Sequence, residues 1–204
     1  MDTVQEIFLP FFKEKGLEGW MIIKIHFQRK EIIETIKEKT ESMVLKKKKN
    51  YCLLGLLWHH GIILMHLFMP QPLIEHHSSL IFQNKKSHRF FLPKNCEKIA
   101  SRVFSKEEIR EFVTSVQDDN WIHQTEKPIV PGLMMLAWIW GRKELSLWDN
   151  AMIFRAPAYA EEEIELYFDF YSKNYFAIVK ELDFKEFDKK EKNLKLLWEI
   201  KKIR

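Results

Sequence analysis

The hydrophobic pattern is most regular in the second half of the chain, where it predicts two helices. Ser105 and Glu108 form a capping box, which marks the start of a helix. We expect this helix to end near Asp118, because an apolar stripe at helical spacing runs up to that point. The stripe consists of Ile109, Phe112, Val113 and Val116. Residues 133–140 are apolar on every side, which predicts a second helix buried in the core.

An alternating pattern after residue 150 predicts a meander of antiparallel strands with one buried face. The predicted strands are 151–156, 163–170, 175–179 and 194–200. In the second of these strands, one face collects Ile164, Leu166, Phe168 and Phe170. In the fourth, the corresponding face collects Leu194, Leu196, Trp198 and Ile200. We expect both faces to lie against the core and the intervening charged residues to point outward.

The first quarter of the chain is less regular. Residues 1–15 suit an amphipathic helix ended by Gly16, although Pro10 argues against it. Residues 20–27 have the aliphatic content of a strand. The charged segment that follows has apolar residues near helical spacing, which predicts a helix, and these residues are Ile32, Ile33, Ile36 and Met43. The basic run 46–50 indicates a solvated loop.

Residues 51–69 contain no Asp, Glu, Lys or Arg, but His59-His60-Gly61 interrupts them. The turn at the centre favours two buried strands over a transmembrane helix. Pro70 and Pro72 then break the pattern before two short predicted strands, 79–83 and 89–92.

Composition indicates a folded protein and excludes several classes. Of the 204 residues, 46% are hydrophobic and 14% are aromatic, which is enough for a packed core. The net charge of +4 is dispersed over the chain and does not match a nucleic-acid-binding protein. Cys52 and Cys96 form no C-x-x-C motif, and the N-terminus lacks a basic segment followed by an apolar core. We therefore expect a cytoplasmic protein without a secretory signal or a membrane span.

Histidines in the first half raise the hypothesis of a metal site, and they include His59, His60, His66, His76 and His77. Adjacent histidines on a strand point to opposite faces. No Cys, Asp or Glu lies at ligand spacing between them. Roles in packing or on the surface are therefore favoured, and we predict no metal.

The candidate chemistry lies between Asp118 and Gly132, in the stretch D-D-N-W-I-H-Q-T-E-K-P-I-V-P-G. A carboxylate, Asp118, precedes an imidazole, His123, by five residues, and Gly132 opens the apolar helix. Imidazole can move a proton near neutral pH, and free N–H groups at a helix start can hold an oxyanion. This set suits acyl chemistry. The alternative is a surface carboxylate and a loop histidine without a catalytic role.

The element order of residues 97–204 resembles the hot-dog fold, in which an antiparallel sheet wraps a central helix. Asp118, Asn120 and His123 resemble the D-x-N-P-x-H signature of the MaoC-like hydratase/dehydratase family, with Trp121 where proline is usual. Residues 129–132, I-V-P-G, are similar to the I-V-H-G that follows in that family, with Pro131 in place of its histidine.

The interval between histidine and glycine departs from the MaoC-like pattern, where it is usually much longer. The short interval resembles that of the beta-hydroxyacyl carrier-protein dehydratases, whose motif G-H-F-P-G-x-P-V-M-P-G compares with residues 123–132. Those enzymes carry a catalytic acid on the central helix five residues past the glycine, where this chain has Ala137. The carboxylate must therefore come from upstream, as Asp118 supplies it.

By either resemblance, the implied reaction is reversible hydration of a 2-enoyl thioester, or dehydration of a 3-hydroxyacyl thioester. The acyl group would be carried by coenzyme A or by an acyl carrier protein, and no metal or redox cofactor is needed. His123 would move the proton on the carbon next to the thioester carbonyl, and Asp118 would position or protonate the water or the hydroxyl. The implied substrate-binding positions are Gly132, whose amide would hold the thioester oxygen, Asn120, Trp121 and Pro131.

The resemblance also implies a domain organisation of the α+β class. Residues 97–204 would form the catalytic hot-dog domain, and residues 1–96 a second, degenerate unit that completes a double hot-dog, or else an accessory domain. A homodimer, or a pseudo-dimer within one chain, follows from that fold. Two other functions stay open, which are a non-catalytic acyl-thioester binding or subunit-interface protein, and an acyl-CoA thioesterase.

Overall fold

The apolar runs of the sequence form the strands of an antiparallel sheet in a computed structural model of the chain. The structure describes residues 4–12, 17, 19–29, 41–58, 61–69, 90–140, 142, 149–181 and 193–202. The helices in these ranges are α1 (Val4–Phe12), α2 (Lys106–Val116) and α3 (Gly132–Ile139), and Trp121–His123 form a 3-10 turn. The strands are β1 (Met21–Arg29), β2 (Glu41–Lys48), β3 (Tyr51–Trp58), β4 (Gly61–Phe68), β5 (Cys96–Val103), β6 (Asn150–Phe154), β7 (Glu163–Asp169), β8 (Asn174–Glu181) and β9 (Asn193–Lys202).

The strand order is β2-β3-β4-β1-β6-β9-β8-β7-β5. The two halves of the chain meet at the centre, where β1 pairs antiparallel with β6 and Ile25 lies opposite Met152. Outward from this pair, the order β1, β4, β3, β2 on one side recurs as β6, β9, β8, β7 on the other. The two halves therefore share one strand order, and β5 adds a further strand at the outer edge of the second half.

Helix α3 lies in the core because its sequence offers no polar face. Its buried residues are Leu133, Met134, Met135, Leu136 and Ile139. The ring of Trp140, at its C-terminal end, lies 6.1 Å from Phe27 of β1 and 6.0 Å from Trp58 of β3, measured between centroids. Trp138 meets Phe104 edge-on at 6.0 Å. Aromatic side chains from both halves of the chain thus pack against this helix.

Three helices and most strands agree with the sequence predictions. In α2, the Oγ of Ser105 accepts from the amide of Glu108 at 3.0 Å, and the Glu108 carboxylate accepts from the amide of Ser105 at 2.8 Å, which confirms the capping box. The predicted apolar stripe of α2 is buried. Helix α1 buries Val4, Ile7 and Phe8. The two strands predicted within 51–69 are β3 and β4, and the predicted meander is β6 to β9.

Strand β2 corrects the prediction for the end of the charged segment. Met43 belongs to this strand and not to a helix, and the basic run is the end of the strand and a turn rather than a loop. The segment is a strand because it pairs with the apolar β3, which supplies the backbone hydrogen bonds. The lysines are nevertheless exposed, as predicted. Residues 30–40, where the rest of the helix was predicted, lie outside the described residues, as do Gly16, 79–83 and His59, His60, His76 and His77.

Residues 90–92 were predicted to be part of a strand, but they form no regular secondary structure. They lead into Pro93, which has no N–H to give to a ladder. Phe90 instead packs on Phe176 of β8, with ring centroids 5.5 Å apart.

The predicted faces of two strands also need correction. In β7, Phe170 is 48% exposed because the strand ends at Asp169, and Glu165 is buried because it accepts from Lys98 Nζ at 2.7 Å and from the Tyr167 hydroxyl at 3.1 Å. In β9, a register shift against β8 changes the alternation, so Leu197 is buried beside Trp198.

Two histidines occupy the face of the sheet opposite to the buried Ile25 and Phe27. The rings of His26 and His66 lie 5.0 Å apart, and His66 Nδ1 is 2.8 Å from the hydroxyl of Tyr51. Burial, and next the charge of Lys24, lower the pKa of His66 and lower the pKa of His26 to about 4. Both imidazoles are therefore neutral near pH 7.

We predict that the protein loses stability as the pH falls from about 6.5 toward about 4. In this window the unfolded histidines take up protons that the folded ones do not, so protonation favours the unfolded chain. The measurement is the midpoint of urea unfolding at pH 7.5, 6 and 5. The double variant His26→Gln/His66→Gln should show a smaller loss over the same range, and an equal loss in both proteins would contradict the prediction.

Candidate active site

Helix α2 ends in a way that brings Asp118 out of the helix. Gln117 adopts a left-handed conformation with φ 56°, its amide donates to Thr114 at 3.2 Å, and the amide of Asp118 donates to Val113 at 2.9 Å. These two bonds form a Schellman motif, which terminates a helix and turns the chain. The helix therefore stops before Asp118, as the sequence predicted, and does not run on through Asn120.

The residues after Asp118 form a tight turn stabilised by two side chains. One carboxylate oxygen of Asp118, Oδ1, accepts from the amide of Asn120 at 3.0 Å. The side-chain oxygen of Asn120 accepts from the amide of Ile122 at 3.5 Å, and its carbonyl accepts from the amide of His123 at 3.1 Å. Short polar side chains commonly stabilise turns in this way. The second oxygen of Asp118, Oδ2, takes no part in the turn.

The turn places His123 against Asp118, with Nε2 3.7 Å from Oδ2. The side chain of His123 is 7% exposed and that of Asp118 is 21% exposed. The other ring nitrogen, Nδ1, lies 2.6 Å from the carbonyl oxygen of Ile129. A carbonyl can only accept, so Nδ1 carries the proton and the neutral ring presents the lone pair of Nε2 to the carboxylate.

Two acceptors then face each other across a gap that is too wide for a direct hydrogen bond. A water molecule beside both atoms has two O–H groups and could donate one to each acceptor, whereas a substrate hydroxyl could donate to only one of them. Burial lowers the pKa of His123, whereas the charge of Asp118 and the bond to Ile129 oppose that shift. The imidazole is therefore neutral near pH 7 and able to accept a proton.

The carbonyl of Ile129 is held by a second loop of the chain. Ile129 pairs with Tyr159 in an isolated antiparallel bridge, the amide of Val130 donates to Ala158 at 2.9 Å, and the amide of Ala160 donates to Pro128 at 2.9 Å. The sequence prediction missed this contribution. No side-chain pattern could have revealed it, because every contact is made by backbone groups.

Residues 19–22 lie near three of the candidate site residues, and Trp20 bonds directly to one of them. The side-chain nitrogen of Asn120 donates to the carbonyl of Trp20 at 3.1 Å in a buried bond. A Cβ on Gly19, which has φ +78°, would lie 3.8 Å from the indole nitrogen of Trp121. A Cβ on Gly132 would lie 3.8 Å from Ile22 and 3.2 Å from the ring of Phe154. The sequence pattern did not indicate Gly19, Trp20 or Ile22 as parts of the site.

The remaining site positions differ in their surroundings. Pro131 is buried and caps α3, and its carbonyl accepts from the amides of Met134 and Met135 at 3.0 and 3.1 Å. Gly132 is the first residue of α3, where helix geometry leaves amides without acceptors. Trp121 is 55% exposed and lies beside Gly19. Ala137 is exposed, and because its side chain is a methyl group the helix offers no acid at that position.

A cavity of ≈ 350 Å³ lies beside α2 and α3 and is open to solvent. It is lined by Glu108, Glu111, Phe112, Ser115 and Met134, and does not include Asp118 or His123. A common cavity for that pair near the amide of Gly132 stays a prediction.

The described part of the chain contains neither a cluster of metal ligands nor a membrane-spanning helix. There, no group of three or more His, Cys, Asp or Glu side chains converges as a metal site would require. Cys52 and Cys96 are not joined in a disulfide bond. None of the helices in the described ranges is both long and apolar enough to span a membrane.

No protein-family model matches the sequence, and neither does any curated protein. Among solved structures, the chain is similar to the crystal structure of HtdX of Mycobacterium tuberculosis, with a TM-score of 0.55 and 10% sequence identity. The similarity covers 98% of this chain and 87% of the other, so it extends over both halves. It supports a hot-dog-like fold and does not select a family.

We predict that Asn120→Ala destabilises the protein by about 1–3 kcal/mol, because it leaves the buried carbonyl of Trp20 and the amide of Ile122 without their partners. Urea unfolding measures the loss. Gln124→Ala is the matched control, since it removes an exposed amide from the same loop and should change the free energy of unfolding by less than about 0.5 kcal/mol. Equal losses in the two variants would contradict the assigned role of Asn120.

Proposed function

We propose that this chain catalyses the reversible hydration of 2-enoyl thioesters, or the dehydration of 3-hydroxyacyl thioesters, with Asp118 and His123 as the catalytic pair. The observation that carries the proposal is the approach of two proton acceptors, Nε2 and Oδ2, to 3.7 Å across a buried gap. The hot-dog-like fold adds support, because it is the fold of the families that the motif resembles.

In the hydration direction, a water molecule lies between the two acceptors. Asp118 holds the water while Nε2 of His123 takes one of its protons, and the water oxygen adds to C3 of the enoyl group. The electron pair of the double bond moves onto the thioester carbonyl as an enolate. His123 then returns the proton to C2 on the same face, so the elements of water add in the syn sense. Dehydration follows the same steps in reverse.

The enolate oxygen needs a hydrogen-bond donor. The amide of Gly132 supplies one in this proposal, since it opens α3 and has no acceptor within the helix. Packing also favours glycine at position 132, because the Cβ of any other residue would lie 3.2 Å from the ring of Phe154. The substrate is the acyl thioester of coenzyme A or of a carrier protein, and the mechanism assigns no step to a metal or a redox cofactor.

The same proposal includes the domain organisation. Residues 97–204 form the catalytic hot-dog unit, and residues 1–96 form a degenerate unit that completes a pseudo-dimer. The recurrence of one strand order on the two sides of the β1–β6 pair supports this duplication. The buried hydrogen bond from Asn120 to the carbonyl of Trp20 gives the degenerate unit a structural role at the candidate site.

A second candidate is a non-catalytic protein that binds acyl thioesters. It is favoured by the burial of His123, which is 7% exposed, and by the cavity that excludes the pair. It predicts saturable binding of crotonyl-CoA without hydration. Hydration that disappears in His123→Ala would rule it out.

We predict that the purified protein hydrates crotonyl-CoA or a longer enoyl thioester, and that His123→Ala and Asp118→Asn each lower kcat by about 10²–10⁴-fold. Loss of absorbance of the conjugated enoyl thioester measures the rate. His26→Gln is the matched control, since it removes a histidine that lies outside the pair. Failure of every enoyl and 3-hydroxyacyl thioester to react would contradict the proposed function.

We predict that the hydration rate stays constant as the pH falls through the ordinary range of histidine near 6.5 and declines only below it, because burial lowers the pKa of His123. A pH–rate profile at saturating substrate measures the inflection. In Asp118→Asn the inflection should move to lower pH, because the charge of Asp118 raises this pKa. An inflection above pH 6.5, or a flat profile through the acid range, would contradict His123 as the base.

A further inference from the structure

A basic corner lies beside the candidate site, at the end of the edge strand β2. Lys46, Lys47 and Lys48 close this strand and Lys49 follows in the turn, and all four are exposed. The ladder with β3 places Lys47 opposite the buried Cys52, and Lys48 opposite Tyr51. Consecutive residues of a strand point to opposite faces, so Lys47 and Lys48 lie on different sides of the sheet.

One residue, Trp20, links Lys47 to the turn between Asp118 and His123. Its Nζ lies over the ring of Trp20, 5.9 Å from the centroid. The carbonyl of Trp20 in turn accepts from Asn120, at the centre of the turn between Asp118 and His123. Trp20 therefore has an ammonium group over its ring and a candidate site residue on its backbone carbonyl.

Trp20 also carries an unused hydrogen-bond donor. The residue is 6% exposed, and among the residues that the structure describes its indole N–H has no acceptor. A buried donor without a partner costs free energy that an incoming acceptor can recover. The Nζ of Lys47 lies over the ring that carries this donor, so the two groups are close enough for one ligand to meet both.

We propose that Lys47 and the indole N–H of Trp20 bind the phosphopantetheine arm of the acyl thioester, with Lys47 on its phosphate and Trp20 on an amide carbonyl of the arm. This inference rests on the proposed function and names the part of the substrate that lies outside the reacting atoms. Lysine is a common phosphate ligand, and an N–H group is the donor that an amide carbonyl needs.

The order of groups along the arm matches the order of these residues. The arm is about as long as four extended residues of polypeptide, or roughly 14 Å, from the thioester to its phosphate. With the thioester beside Asp118 and His123, the arm passes Asn120 and Trp20 before its phosphate reaches Lys47. The same arm is present in acyl-CoA and in acyl carrier proteins, so the site serves either carrier.

The test compares Lys47→Gln with Lys48→Gln, which removes the same charge from the opposite face of the same strand. Lys47→Gln should raise KM for crotonyl-CoA about fivefold at nearly constant kcat, as expected for one partly exposed ion pair, and Lys48→Gln should raise it less than about twofold. The effect of Lys47→Gln should shrink at high salt. Equal effects of the two substitutions would overturn the proposal.

Crotonyl-pantetheine, which lacks the phosphate, separates the two contacts. Lys47→Gln should leave KM for this substrate unchanged, whereas Trp20→Phe should raise KM for both substrates about fivefold, because it removes only a donor to the arm. Trp140→Phe is the control, since its indole N–H also lacks an acceptor in the described part of the chain. An effect of Lys47→Gln on crotonyl-pantetheine would overturn the assignment of Lys47 to the phosphate.

A crotonyl carrier protein, as a third substrate, tests whether the shared phosphate is recognised. A similar rise in KM for crotonyl-CoA and for the carrier protein supports the proposal, and a rise confined to either one overturns it. Calorimetric binding of free CoA keeps this inference separate from the proposed reaction. Absence of turnover together with CoA binding that weakens about fivefold in Lys47→Gln would defeat the reaction and support the arm site.

Discussion

The hydrogen bond from Nδ1 of His123 to the carbonyl of Ile129 is the contact on which the candidate chemistry depends. It decides that Nδ1 carries the proton of the neutral ring, so Nε2 turns its lone pair toward Asp118. The carbonyl is held in place because the residues on either side of Ile129 bond to Ala158 and Ala160. Without that pairing, a buried imidazole could adopt either tautomer, and the acceptor facing Asp118 would be lost.

The sequence predicted the elements that depend on local pattern. The capping box at Ser105, the stripe of α2 and the apolar α3 all follow from residues close together in the chain, as does the approach of Asp118 to His123 across a turn. The catalytic roles of that pair stay a prediction.

Contacts between distant residues could not be predicted in this way. Asn120 donates to Trp20, which lies 100 positions away in the sequence. The acceptor is a backbone carbonyl, which every residue type has, so the sequence does not reveal this contact. The burial of Glu165 depends on Lys98 in a strand that is distant in sequence, and β2 is a strand because of its partner rather than its own composition. In each case tertiary pairing overrides the local pattern.

The short interval between His123 and Gly132 makes the first half of the chain part of the site. Pairing of Ile129 and Val130 with the loop at residues 158–159 leaves this interval little freedom to fold over a substrate. A direct contact comes instead from Trp20, whose carbonyl accepts from Asn120, and Gly19 and Ile22 lie near Trp121 and Gly132. The first half, which has no D-x-N-x-x-H motif, is thereby constrained by the geometry of the second half. A displacement of the Trp20 carbonyl would disturb its hydrogen bond to Asn120 although Trp20 itself does not contact Asp118 or His123 in the bonds described above.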